Sequence, residues 1–191
     1  EEFQKFLECV ADKPISYYAF EMLYWTGIRE GELLALTPAD FNFEKKTLRI
    51  NKSYQRLEGE DRITDPKTPK SNRTIVMPDF LAIEMEDFIK SIYGIKMNDR
   101  IFTISKNYLH HEMDRGAKLA GVKRIRIHGL RHSHISLLIN LGFSALAIGE
   151  RVGHEAIDIT YHYAHLFPTV QTDMAAQLET EREALVNVKK E

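Results

Sequence analysis

His128-Gly129-Leu130-Arg131-His132-Ser133-His134-Ile135-Ser136-Leu137-Leu138-Ile139-Asn140 is the stretch on which the reading of this chain turns. An arginine among histidines runs directly into the apolar positions Ile135, Leu137, Leu138, Ile139 and Leu141. Arginine and histidine usually stay at the surface unless paired. Arg131 is therefore expected at the start of a packed helix, held by a rigid element and aimed at something anionic. A planar guanidinium with five donors suits bidentate recognition of phosphate. Farther on, Gly153-His154 and Tyr163 add a second histidine site and a tyrosine, one of the side chains that can act as a covalent nucleophile.

Outward from this stretch, helical spacing of apolar residues marks Phe3 to Val10 and Ser16 to Trp25, the latter closed by Gly27 as a C-terminal cap. A short helix follows from Arg29 through Leu36, then a turn over Thr37 to Asp40. Phe41 to Phe43, Thr47 to Tyr54 and Arg73 to Met77 read as three short strands, rich in β-branched and aromatic residues. The polar connection Gly59 to Asn72, with Pro66 and Pro69, reads as a hairpin loop. Helices resume over Asp79 to Tyr93, from Ser105 as N-cap to Gly121, and over Leu130–Asn140, Ala145–Val152, Ile157–His165 and Val170–Val186. The fold class expected is α+β, mainly helical, with one small three-stranded antiparallel sheet.

Upstream, Thr26-Gly27-Ile28-Arg29-Glu30-Gly31-Glu32-Leu33 supplies a second arginine after a turn, and Lys67-Thr68-Pro69-Lys70-Ser71-Asn72-Arg73 a lysine before a strand. Arg29, Lys67, His128 with Arg131, His154, and Tyr163 nine positions beyond it occur in the order found in the tyrosine recombinases, and the chain resembles the catalytic domain of that phage-type integrase family. His-x-x-Arg alone is a weak signal; six pieces in order are specific. The resemblance covers nearly the whole chain, so residues 1–191 are expected to form one catalytic domain with a tail helix near 170–186. It also implies an N-terminal DNA-binding module that this chain does not contain.

The resemblance implies phosphoryl transfer on DNA. Tyr163 attacks the scissile phosphate, a 3′-phosphotyrosyl link conserves the bond energy, and another strand's 5′-hydroxyl reverses the step without metal, ATP or other cofactor. Arg29 and Arg131 would clamp the non-bridging oxygens, His154 would donate a further hydrogen bond, Lys67 would protonate the leaving oxygen, and His128 would serve as general base. Glu32, three residues after Arg29, would orient that guanidinium from the same helical face. Tyr161 rivals Tyr163, and Lys52 and Lys70 rival Lys67. The implied partners are double-stranded DNA attachment sites and three further copies in a tetramer on DNA with exchanged tails, the free protein being monomeric. A catalytically idle DNA-binding relative and a type IB topoisomerase-like enzyme are the alternatives.

The composition sets limits of its own. At 191 residues the chain is long enough for one full core. Cys9 is the single cysteine, which excludes an internal disulfide and a thiol-rich metal site. That is compatible with a reducing cytoplasm, the expected location. Eight histidines include no His-Glu-x-x-His pattern, and no metal site is expected. No apolar run suggests a membrane span. The formal net charge is −2, but its distribution is uneven. Arg115, Lys118, Lys123, Arg124 and Arg126 precede Arg131 with no acid between, and Lys70 and Arg73 lie in the central basic cluster. These seven are the expected DNA-facing cations.

Overall fold

The computed structural model describes residues 1–65, 71–153 and 156–166, together with 175, 176, 178–180 and 182. In chain order the elements are α1 (Glu2–Glu8), α2 (Pro14–Thr26), α3 (Glu30–Ala35), a 3-10 turn (Pro38–Asp40), β1 (Phe41–Asn42), β2 (Thr47–Ile50), β3 (Ser53–Leu57), β4 (Glu60–Thr64) and β5 (Arg73–Val76). Then come α4 (Asp79–Ser91), α5 (Lys106–Ala120), α6 (Ile127–Asn140), α7 (Ala145–Val152), α8 (Ala156–Tyr163) and a 3-10 turn (Ala164–Leu166). The α+β class expected from the sequence holds. Most of the expected tail helix lies outside the described residues.

β1, β2 and β5 form the antiparallel sheet in that order, with Leu48 opposite both Phe41 and Ile75. A second, two-stranded sheet of β3 and β4 corrects the expected single strand over Thr47 to Tyr54 and the loop from Gly59. The chain leaves the first sheet at Asn51-Lys52, where Lys52 Nζ turns back to the buried Asp40 carboxylate at 2.5 Å. β4 escaped the sequence reading because four of its five residues are exposed, which leaves no apolar alternation to detect. Its turn is Glu58-Gly59, both at positive φ (53° and 84°), the two-residue geometry that matches strand twist. Tyr54 fastens the hairpin, donating its hydroxyl to Asp61 at 2.7 Å while Arg100 lies over its ring at 4.1 Å. Gly31 of α3 permits the close approach of β3, since a Cβ there would stand 2.5 Å from Ser53 Oγ.

Two apolar cores result. The larger is built from α1 to α5 and the three-stranded sheet, and the smaller from Ile135, Ile139, Ile148, Val152, Ile159 and Tyr163. Helix α6 serves both, placing Ile127 and Leu130 in the first and Ile135 and Ile139 in the second. Each such side chain contributes about 1.5–3 kcal/mol of burial. Arg131 sits on the stripe of α6 shared by Ile127 and Ile135, four residues to either side, so helical geometry carries its side chain inward. Glu112 of α5 locks the α1–α2 connection, accepting from Lys13 at 2.6 Å, Ser16 at 3.0 Å and Arg115 at 2.7 Å. Burial alone would raise the pKa of its carboxyl, but these donors outweigh burial and hold it at about 2.

Candidate active site

Two helix ends define the site. α2 and α7 are each closed by a glycine in the left-handed conformation, Gly27 (φ 65°) and Gly153 (φ 72°). A helix C-terminus leaves carbonyls without intrahelical donors and carries partial negative charge. Four guanidinium groups converge on these two ends. Arg131, 2% exposed, donates from Nη1 to Gly27 O and from Nη2 to Val152 O. Arg29 reaches Gly153 O at 3.4 Å, Arg151 reaches Trp25 O at 3.1 Å, and Arg73 donates to Arg151 O at 2.9 Å. Gly27 has a second reason to be glycine: a Cβ would stand 2.5 Å from Cδ2 of the buried His134.

Among the described residues one carboxylate, Glu32, bonds directly to this cluster. Glu32 accepts from the Arg29 backbone N–H at 2.8 Å and from its Nη1 at 2.9 Å, which joins capping of α3 to orientation of the guanidinium. From the other side Arg73 grips both oxygens, at 3.1 and 2.9 Å. Burial would raise the Glu32 pKa, but hydrogen bonds and charge from Arg73, then Arg29, hold it below the ordinary carboxylate range. Arg151 completes the frame by donating to His134 Nε2 at 3.1 Å and to Val76 O at 3.0 Å. Burial, then the Arg151 charge, press the His134 pKa to about 3, so its ring is a neutral acceptor.

Four guanidiniums against one carboxylate leave positive charge that helix-end carbonyls satisfy as hydrogen-bond acceptors without cancelling it. Burial, then Arg29, lower the proton affinity of Arg131, yet a guanidinium stays protonated in proteins. Its buried Nε finds no acceptor among the described residues. A buried cation in this state favours an anion beside it.

Tyr163 closes the site from α8. Its ring packs in the smaller core at 8% exposure, and its hydroxyl shares a hydrogen bond with His132 Nδ1. Burial raises the phenol pKa and the Arg131 charge opposes the rise. Tyr161, two residues earlier and 77% exposed, points away to solvent. His128 stands edge-on to His132, with ring centroids 4.8 Å apart. Burial, then the charges of His132, Arg131 and Arg29, depress its pKa.

Of the residues singled out in the sequence, Arg29, Glu32, His128, Arg131 and Tyr163 lie close enough to perturb one another's protonation or to bond directly. Lys67, Lys70 and His154 lie outside the described residues. One expectation needs correction, and two further cations are found in ion pairs. Arg73 is no DNA-facing cation: it is buried, with its donors committed to Glu32, Arg151 O and Ser71 O. Arg115 is spent on Asp12 and Glu112, because α5 brings it against the α1–α2 connection. Arg124 is engaged by Asp114 at 2.7 Å. Lys118, Lys123 and Arg126 are exposed and make no ion pair among the described residues. The rival Lys52 is tied to Asp40. Sequence reasoning missed Arg151 and His134 as frame members and His132 as the partner of Tyr163. Two glycine-capped helix ends were the available signal, since orphan carbonyls there call for donors.

The sequence profile of the phage integrase family matches residues 1–169. The ICEBs1 integrase of Bacillus subtilis is 29% identical over 194 residues, spanning 94% of this chain and 53% of that protein. The integrase of Staphylococcus phage L54a is 30% identical over 179 residues, 84% of this chain and 51% of its own length. The chain thus spans about half the length of these curated relatives. Among solved structures, the Tn1549 transposon integrase in complex with circular intermediate DNA superposes with a TM-score of 0.73 at 24% identity, covering 94% of this chain and 64% of that one. The catalytic domain of bacteriophage HP1 integrase gives 0.63 at 20% identity, covering 92% and 90%. Identities this low speak for the fold.

Proposed function

Because the chain belongs to the phage integrase family, we propose that it is the strand-cutting and rejoining part of a site-specific DNA recombinase. The observation that carries this reading is the phenol of Tyr163 beside a buried guanidinium, Arg131, whose charge is met by carbonyl dipoles and, among the described residues, by no carboxylate in direct contact.

A DNA phosphodiester entering between Arg131 and Arg29 supplies the missing anion. The Tyr163 oxygen bonds to phosphorus, the bond from phosphorus to the 5′-oxygen breaks, and the phenol proton leaves to a base. The 5′-oxygen takes up a proton, and Lys67 is assigned that donation by family resemblance. Family resemblance gives the place of that base to His128, beside Arg131 and Arg29, and assigns His154 a further hydrogen bond to the non-bridging oxygens. Charge growing on those oxygens meets guanidiniums already oriented by Glu32 and by the two helix ends, so little reorganisation accompanies reaction. Loss of one such donor typically costs about 10²- to 10³-fold in rate. Attack by a second strand's 5′-hydroxyl restores the phosphodiester and frees Tyr163. Lys118, Lys123 and Arg126, exposed and without an ion pair among the described residues, are assigned to contact with the DNA backbone together with Lys70, contacts that position without specifying sequence. Four copies on two DNA sites, with exchanged tails, would complete the exchange.

The test uses the full-length protein and nicked suicide duplexes cut from the DNA flanking its coding gene, read on denaturing gels. A covalent protein–DNA band given by the native protein and by Tyr161→Phe, and lost in Tyr163→Phe, is the expected result. Specific binding of a duplex with no covalent band from the native protein would point to a DNA-binding relative without strand-cutting activity.

A further inference from the structure

The phenol of the proposed nucleophile meets a histidine that stands outside the six-residue set. We infer that His132 is the group that takes the proton from Tyr163 during attack on the phosphate, an inference that rests on the recombinase reading above.

His132 Nδ1 is the nitrogen hydrogen-bonded to Tyr163 Oη. Residues 128 and 132 are one helical turn apart on α6, and His128 presents its ring edge-on to His132, not to the tyrosine. The order across the site is therefore His128, His132, Tyr163. A general base must lie within hydrogen-bond reach of the proton it removes, and among the described residues His132 is the basic side chain bonded to that hydroxyl.

The surroundings set its protonation state. Arg131 and His128 face His132 from α6, and Tyr163 and His162 from α8. Burial, then Arg131 and His162, hold its pKa below the usual histidine value, so the ring is neutral at neutral pH and Nδ1 can accept. In the step itself the Tyr163 oxygen bonds to phosphorus while its proton passes to Nδ1, giving an imidazolium as the bond to the 5′-oxygen breaks. The resulting charge stands near the phosphate oxygens, where a cation is favoured. His132 keeps contact with solvent, so the proton it takes up can pass to bulk water between turnovers.

Three variants of the full-length protein, His132→Gln, His132→Ala and His128→Gln, separate this role from a structural one. Single-turnover cleavage of the same nicked suicide duplexes is followed from pH 5.5 to 9, with binding of the uncleaved duplex measured in parallel. His132→Gln should bind DNA within about twofold of native yet cleave roughly 10²-fold more slowly. It should also lose the acidic limb of the native profile, its rate instead climbing with pH as hydroxide replaces the base. Added imidazole should restore part of the rate in His132→Ala. Native-like or faster cleavage by His132→Gln, as a resting latch would give, would overturn the inference. So would an equal loss at every pH without imidazole rescue, or a missing acidic limb in His128→Gln with the limb intact in His132→Gln. A covalent band from native protein in any of these cases leaves the recombinase reading standing, and its absence overturns that reading independently.

Discussion

Replacing Glu32 with glutamine removes one negative charge and little volume, and its cost can be worked from the contacts. The Glu32 and Arg73 side chains are each 5% exposed and joined by two hydrogen bonds, at 3.1 and 2.9 Å. Glutamine retains one acceptor oxygen and turns an amide N–H toward a guanidinium N–H, leaving Arg73 charged and buried. Breaking a buried pair from one side costs about 3–5 kcal/mol, mostly through the stranded charge. The contact with Arg29, whose side chain is 35% exposed, adds little to stability because solvent screens it. For a chain of this length the loss corresponds to a fall in Tm of roughly 6–20 °C. Thermal and urea unfolding of Glu32→Gln, Arg73→Met and the double variant measure it. The double variant should recover part of the loss, giving a coupling energy of at least about 1 kcal/mol between the two sites. A Tm within 2 °C of native, or simple additivity of the two single changes, would refute the claim that this pair is buried and mutually compensating.

Gly27→Ala forces a Cβ onto a residue at φ 65° and to 2.5 Å from His134 Cδ2, so it should destabilise by at least about 1–2 kcal/mol. It should also shift the carbonyl that holds Arg131 and slow DNA cleavage beyond what reduced folded population explains; native-like melting and cleavage would contradict both. Acid should destabilise the fold in two stages. The folded His134 pKa is about 3, below the free value, so the unfolded chain gains the proton first and stability drops as pH falls from about 6.5, by roughly 2 kcal/mol at pH 5. The Glu112 carboxyl, held at about 2, adds stability above its free pKa of about 4.3 that is lost as pH falls from there through 2. Urea unfolding at several pH values reads both stages, and a flat response between pH 7 and 5 would contradict the first.

Chain-local patterns reached far into this protein. Apolar spacing located α1 to α8 to within a few residues, and glycines after Thr26 and Val152 marked both helix ends that later proved to form the site. The motif order picked out Arg29, His128, Arg131 and Tyr163, since each stands at a fixed place relative to a glycine or a helix start. β4 was not legible, because its residues face solvent and show no alternation.

Which charges meet depends on how the separate elements pack. Arg73 and Arg115 look in sequence like any exposed cation, and only the arrival of Glu32 across 41 positions shows that Arg73 is buried in a pair, and that of Asp12 across 103 that Arg115 is paired at the surface. The choice of His132 over His128 as the partner of Tyr163 likewise depends on how α8 lies against α6. Periodicity, caps and residue types are legible along the chain, because they follow from bonds and contacts within a few residues. Charge pairing and proton affinity follow from distance, burial and dielectric surroundings, and those exist only once separate elements have packed.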